Sequence, residues 1–156
     1  MKILITGSSG FIGFHLSKQL LEKGYKIHGI DSMNKYYDVK LKKARLRILR
    51  KYKNFSFTKI DIENDKKLKI VFNKFKPKIS IHLAAQAGVR YSINKPRVYL
   101  KSNITGTFNI IEASHQNKVK HLIIASSSSV YGANRKIPFK EIDKTETQLS
   151  IYAATK

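Results

Sequence analysis

The chain has 156 residues, 42% of them apolar, with no cysteine and a formal net charge of +21 from 31 Lys and Arg against 10 Asp and Glu. This length and apolar fraction suit one globular α/β domain rather than a disordered chain, and the lack of cysteine excludes disulfides and thiolate metal sites. No apolar run approaches the roughly 20 residues of a membrane helix, and Met1-Lys2 leads straight into a strand without a signal-peptide pattern, so the expectation is a soluble, cytoplasmic protein with no membrane partner and no metal.

Lys2 to Thr6 is a short apolar run that reads as a strand, and Ile12, Leu16, Leu20 and Leu21 follow at helical spacing. Between them Gly7, Gly10 and Gly13 fit Gly-x-x-Gly-x-x-Gly. Such glycines occur in many tight turns; the position between a first strand and a helix gives them meaning. A dinucleotide's pyrophosphate can rest there on free N–H groups at the positive end of the helix dipole. Lys26 to Ile30 reads as the second strand, and Asp31 stands at its end, near the spacing of an acid that accepts from the adenosine ribose hydroxyls. Its charge would repel a 2′-phosphate, which favours NAD over NADP.

Lys35 to Lys53 is the densest basic stretch and reads as a helix with Leu41, Ala44, Leu46, Ile48 and Leu49 among its apolar positions. A solvated helix face is the plainer reading; a phosphate-binding patch is the alternative. Phe55 to Ile60 reads as a strand, and Asp61-Ile62 follows where the carboxyl edge of an open sheet binds ligands. Asp61 is read either as an acceptor for an adenine amino group or as the N-cap of the helix starting near Asn64. Asp65 to Phe75 is a helix with Leu68, Val71, Phe72 and Phe75 in register, Pro77 breaks it, and Ile79 to Ala84 is a fourth strand. The small residues of His82-Leu83-Ala84-Ala85-Gln86-Ala87-Gly88 permit either close approach of backbone to a flat cofactor or tight helix–strand packing. A helix from about Arg97 to Asn117 leads to a fifth strand, His121 to Ser126. Strands alternating with helices imply a parallel sheet with helices on both faces.

Ala125-Ser126-Ser127-Ser128-Ser129-Val130-Tyr131-Gly132 leaves the fifth strand at the same edge as the glycine turn, where a serine can fix a substrate hydroxyl. In Tyr152-Ala153-Ala154-Thr155-Lys156 the tyrosine and lysine stand four apart and would share one helix face. An ammonium there favours the phenolate and makes the tyrosine a usable base.

Taken in order and spacing, Thr6-Gly7 through Gly13, Asp31, Asp61, the His-Leu-Ala-Ala stretch, Ser-Ser-Val-Tyr-Gly and Tyr-x-x-x-Lys resemble the extended short-chain dehydrogenase/reductase family of NAD-dependent nucleotide-sugar epimerases and dehydratases. Within it, Asp31 to Asp38, His82 to Ser92 and Ser126 to Asn134 look most like UDP-glucuronate 4-epimerases. The resemblance implies a Rossmann-type doubly wound parallel sheet. It also implies that Gly7, Gly10, Phe11, Ile12 and Gly13 hold the NAD pyrophosphate, Asp31 and Asn34 the adenosine ribose, and Asp61 and Ile62 the adenine. Leu83, Ala84, Ala85 and Gln86 would line the cofactor channel, and Ser102 falls at a cofactor-contact position, with helix packing as its alternative. Ser127 takes the place of the catalytic serine or threonine, Tyr152 that of the acid/base, and Lys156 that of the lysine that holds the nicotinamide ribose and tunes Tyr152. Arg90 is read as a partner for substrate phosphate or carboxylate, or as a surface salt-bridge arginine.

Ser128 and Ser129 stand where the family's dehydratases carry Asp-Glu. The resemblance therefore implies C4 epimerisation of a UDP-sugar, UDP-glucuronate to UDP-galacturonate, through a transient 4-keto sugar, with the serine hydroxyls near the uronate carboxylate. The alternatives are another epimerase or dehydratase of the family, a non-catalytic NAD-binding protein, or a nucleic-acid-binding protein supported only by charge. Family members continue beyond the position of Lys156, so residues 1–156 are expected to be an NAD-binding domain, incomplete at its C-terminal end and without the substrate domain. Alone they are expected to be inactive, and the full-length protein is expected to be a homodimer.

Overall fold

Strand β1 (Lys2–Thr6) is the axis of the molecule. In the computed structural model, which describes residues 1–156, it pairs in parallel with β2 (Lys26–Asp31) on one side and β4 (Ile79–His82) on the other. β3 (Phe55–Lys59) extends the sheet beyond β2, and β5 (His121–Ile124) extends it beyond β4, in the order β3-β2-β1-β4-β5. The order reverses between β1 and β4, the point where an open parallel sheet leaves a crevice at its carboxyl edge.

The alternation within β1 explains the two-faced core. Ile3 and Ile5 point to one face, where they pack with Phe14, Leu21, Ile27, Leu49 and Ile81; these residues bring α1 (Phe11–Glu22) and α2 (Val39–Leu49) onto the sheet. Leu4 points to the other face and joins Ile30, Leu68, Val71, Phe72, Phe75, Ile110 and Ala113, which bring in α3 (Asp65–Phe75) and α6 (Gly106–Gln116). Leu68 and Phe72 are fully buried, each contributing about 1.5–3 kcal/mol by its removal from water. The expected parallel sheet with helices on both faces is the observed one.

The boundaries differ from the sequence reading in an ordered way. Ile60, Leu83, Ala84, Ala125 and Ser126, all expected at strand ends, have already left the sheet. The basic helix begins only at Val39, where the Asp38 carboxylate accepts from Lys40 N at 2.7 Å. The helix expected from Arg97 to Asn117 is an unbroken helical run from Pro96 to Gln116 that changes its hydrogen-bond pattern on the way, with a separate short helix before it. α4 (Val89–Asn94) and α5 (Pro96–Tyr99) precede a π-helical segment, Leu100–Thr105, and then α6. Pro96 opens α5, and Gly106 lies where a Cβ would meet Ile62 Cδ1 at 2.6 Å, so the helix approaches the β3 exit closely. A 3-10 turn, Ser128–Tyr131, and a short helix α7 (Ile151–Ala154) complete the chain. No helix is long and apolar enough to cross a membrane.

Candidate active site

A groove of about 560 Å³ runs along the carboxyl edge of the sheet, and its two ends differ in chemistry. Near its middle lies the turn between β1 and α1. Gly7 has φ +69, and a Cβ on it would sit 3.0 Å from Ala84 N, so a side chain is excluded by both conformation and space. A Cβ on Gly13 would overlap the Gly7 carbonyl, so α1 can descend onto β1 only with glycine there. No side chain caps α1, its first turn holds no acid, and no carbonyl outside the helix accepts from Phe11, Ile12 or Gly13 N–H. Open donors at the positive end of a twelve-residue helix suit an anion such as a pyrophosphate. Phe11 and Ile12, exposed by 67% and 64%, flank this opening.

Asp31, at the end of β2, is buried beside the turn. One carboxylate oxygen accepts from Ser9 N at 3.1 Å and the other from Met33 N at 2.8 Å. The acid thereby ties the glycine turn to the β2 exit, and each oxygen keeps a second acceptor site for a hydroxyl donor. The Asn34 side-chain oxygen is taken by Lys42 Nζ at 3.0 Å and Tyr36 N at 3.4 Å, so the group Asn34 can offer to the groove is its NH2. Asp61 accepts from Glu63 N at 3.1 Å, whereas Asn64 caps α3 by accepting from Lys67 N at 3.0 Å. Of the two readings of Asp61, the N-cap therefore belongs to Asn64, and Asp61 and Ile62 line the groove. Asn109 on α6 holds this loop by donating to Ile62 O at 3.0 Å and Glu63 O at 3.2 Å.

The floor is fixed by a buried network. Thr6 Oγ accepts from Leu83 N at 3.1 Å and Ala84 N at 3.0 Å, which leaves its proton for His82 Nδ1 at 2.7 Å. His82 is thus the Nε2–H tautomer and donates to Thr107 Oγ at 3.0 Å. Burial, reinforced by the Lys156 charge, lowers its pKa to about 4, which keeps the ring neutral. Farther along, Asn103 in the π-helical segment accepts from Gln86 N at 2.7 Å and donates to Gln86 O and to Thr155 Oγ, both at 3.0 Å. One buried amide so joins the β4 exit to the segment that carries Tyr152 and Lys156.

At the far end Tyr152 and Lys156 face the groove together with Ala125 and Ser126. Ser150 caps α7 by accepting from Ala153 N at 3.0 Å, and the Tyr152 ring packs edge-on against Tyr99 at 6.0 Å between centroids. Lys156, just past the end of α7 rather than within it, donates its ammonium to Ala125 O at 2.5 Å, and burial lowers its pKa. A phenol and a partly desolvated ammonium at one end of a groove that also runs past an anion-binding turn are the parts of a proton-transfer site.

All the residues expected at the cofactor line this one groove: Gly7, Gly10, Phe11, Ile12, Gly13, Asp31, Asn34, Asp61, Ile62, Leu83 to Gln86, Ser102, Tyr152 and Lys156. The remaining ones do not. Ser127 caps the 3-10 turn by accepting from Ser129 N at 3.2 Å, and Ser127, Ser128 and Ser129 all lie outside the groove lining, which reaches Ser126. Arg90 is exposed on α4, outside the groove lining, and forms no salt bridge, so of its two readings the salt-bridge one is not observed. Sequence reasoning gave no role to Lys42 or Asn103 and took Thr6 and His82 only as members of their motifs. Lys42 was hidden in a run of lysines, although its spacing of four and seven from Leu46 and Leu49 puts it on the inward side of α2.

A parallel sheet in this order, with a glycine turn at the β1 exit and a groove across its switch point, is a Rossmann fold. A family model described as GDP-mannose 4,6 dehydratase matches residues 4–156, and the chain belongs to that family. It is 53% identical over 156 residues to Protein CapI of Staphylococcus aureus, covering 100% of this chain and 46% of that one. It is 45% identical to the probable UDP-glucuronate 4-epimerase of Rhizobium meliloti, with the same coverage. Among solved structures, UDP-glucuronic acid 4-epimerase from Bacillus cereus in complex with UDP-glucuronic acid and NAD superposes with a TM-score of 0.88 at 34% identity, over 99% of this chain and 48% of that one. The chain spans about half the length of the curated relatives it matches.

Proposed function

We propose that the full-length protein is an NAD-dependent UDP-sugar 4-epimerase that interconverts UDP-glucuronate and UDP-galacturonate. The observation that carries this reading is the placement of the open α1 N-terminus, Asp31, Tyr152 and Lys156 along a single groove. The likeness to epimerases over the whole chain supports it. NAD, when bound, supplies a reversible acceptor for the hydride at the sugar C4. The glycine turn and the first N–H groups of α1 hold its pyrophosphate, Asp31 takes its adenosine ribose, and the small Ala84 and Ala85 let its flat part lie against the backbone.

Tyr152 removes the proton of the 4-hydroxyl as the sugar is oxidised and returns one as the 4-keto sugar is reduced on its other face. Lys156, anchored to Ala125 O, would bring its positive charge to the end of the groove that Tyr152 also lines and would hold the nicotinamide ribose there. Ser127, whose oxygen already accepts from Ser129 N, still has its own proton to donate to the substrate oxygen. Ser128 and Ser129 offer no carboxylates with which to expel water, which favours epimerisation over dehydration, and as neutral hydroxyls they suit a uronate. In this reading residues 1–156 form the dinucleotide-holding domain of a protein whose substrate-gripping part is separate, and the full-length protein is a homodimer.

The test is incubation of the full-length protein with NAD and UDP-glucuronate, followed by chromatographic separation of the two uronates. Formation of UDP-galacturonate is the expected result. A 4-epimerised product from UDP-glucose but not from UDP-glucuronate would keep the reaction and overturn the substrate.

A further inference from the structure

α2 buries Lys42, Leu46 and Leu49, so a lysine holds the first position of an inward stripe that continues as leucine. Its side chain is only 9% exposed, and it lines the ribose end of the groove with Asp31, whose side chain is 7% exposed. A buried ammonium is costly unless it is partnered. Here it donates to Asn34 O at 3.2 Å and Asn34 Oδ1 at 3.0 Å, which commits two of its three N–H groups to neutral oxygens. Asp31 Oδ1 is 4.0 Å away, too far for a hydrogen bond, and that carboxylate is already fixed by Ser9 N and Met33 N. The lysine is therefore not needed to hold Asp31. It keeps one donor and a full charge at the place where an acid alone would face an incoming ribose.

We infer that Lys42 is a specificity-determining residue, one that offsets the repulsion of Asp31 toward a 2′-phosphate and so keeps the groove open to NADP as a weaker second ligand. The inference rests on the reading that the groove holds a dinucleotide. A 2′-phosphate brings nearly two negative charges; against Asp31 alone these are strongly disfavoured, and against the Asp31–Lys42 pair the repulsion is largely cancelled. With the carboxylate neutralised, Lys42 becomes an uncompensated cation and favours the phosphorylated ribose outright.

Calorimetric titration of the full-length protein with NAD and with NADP tests this without any turnover. The wild type should bind both, NAD more tightly. Lys42→Gln, which can still donate to Asn34, should weaken NADP by about tenfold more than NAD. Asp31→Asn should reverse the preference toward NADP, and adding Lys42→Gln to it should abolish the reversal. Asp31→Asn also gives up an acceptor for Ser9 N or Met33 N, so where that variant fails to fold, Lys42→Gln alone decides. An unchanged NADP-to-NAD ratio in Lys42→Gln, a reversal that survives in the double variant, or a wild type that binds NAD but no NADP would each overturn the inference. A wild type that binds neither overturns the dinucleotide reading itself.

Discussion

Tyr152 and Lys156 reach the groove by different supports, and their substitutions should separate accordingly. Tyr152 stands on a capped turn and touches the site through its phenol, so Tyr152→Phe removes one oxygen and little else. Dinucleotide affinity measured by calorimetry should stay nearly unchanged while the epimerisation rate falls about 10²–10⁴-fold, the span of general acid–base effects. Lys156→Met removes the charge and frees Ala125 O, and should damage affinity and rate together. A different loss follows at Asn103. Asn103→Ala leaves Gln86 N buried without an acceptor and unties Thr155, which should cost about 1–3 kcal/mol in urea unfolding and release the Tyr152 segment. At this scale the sequence was legible where function is written locally. The glycine triplet, Asp31 and the Tyr-x-x-x-Lys pair each carry their meaning in spacing. Lys42 and Asn103 do not, since their roles depend on partners that only folding brings near.

β3, β4 and β5 leave the sheet a residue or two before their apolar runs end, and those residues line the groove. Apolar pattern reports burial, and Ile60 and Ile62 are buried equally under α6 and α3 whether or not their backbone pairs with a neighbour. Periodicity therefore placed every strand of the sheet but drew the carboxyl ends of β3, β4 and β5 too long, while β1 matches and β2 runs one residue further than read, to Asp31. The helix read from Arg97 is helical throughout, and what periodicity did not show is the π segment Leu100–Thr105 within it, where only the hydrogen-bond spacing changes. The turn between β1 and α1 is the element with the least tolerance. Gly13→Ala should force α1 away from Gly7, with a cost of about 1–3 kcal/mol in thermal or urea unfolding. It should also bring a clear loss of NAD affinity, because the open N–H groups move with the helix. Retained affinity with unchanged stability would mean that the turn is more pliant than its geometry indicates.

Two neutral histidines make the whole molecule sensitive to acid. His82 is lowered to about 4 by burial and then the Lys156 charge, and His28 to about 4 by burial and then Lys74. Both bind a proton more weakly in the folded than in the unfolded chain, where the value is about 6.5. Their stabilisation is complete above that value and is lost as pH falls toward 4. The urea midpoint should accordingly drop between about pH 7 and pH 5, above the range in which ordinary carboxylates titrate. A flat profile would contradict the buried neutral rings. The β5 edge sets a second property of the whole. Ile123 and Ile124 are exposed by 44% and 42%, so residues 1–156 expressed on their own should aggregate and should not turn over UDP-glucuronate, as light scattering and chromatography would show.

The hydrogen bond between Thr6 and His82 spans 76 positions of the chain. β1, α1 and β2 are neighbours in sequence and can assemble early, whereas the central seam between β1 and β4 must wait for a long segment to close. Gly7 meets Ala84 across that seam, so the cradle has only one wall until it forms. On a ribosome the first half of the molecule would emerge with Phe11, Ile12 and the open end of α1 bare, unable to grip a ligand that could shield them. The capacity to hold a nucleotide and the completed core thus arrive in the same late event, and a ligand can reward folding only after its slowest long-range contact has been made.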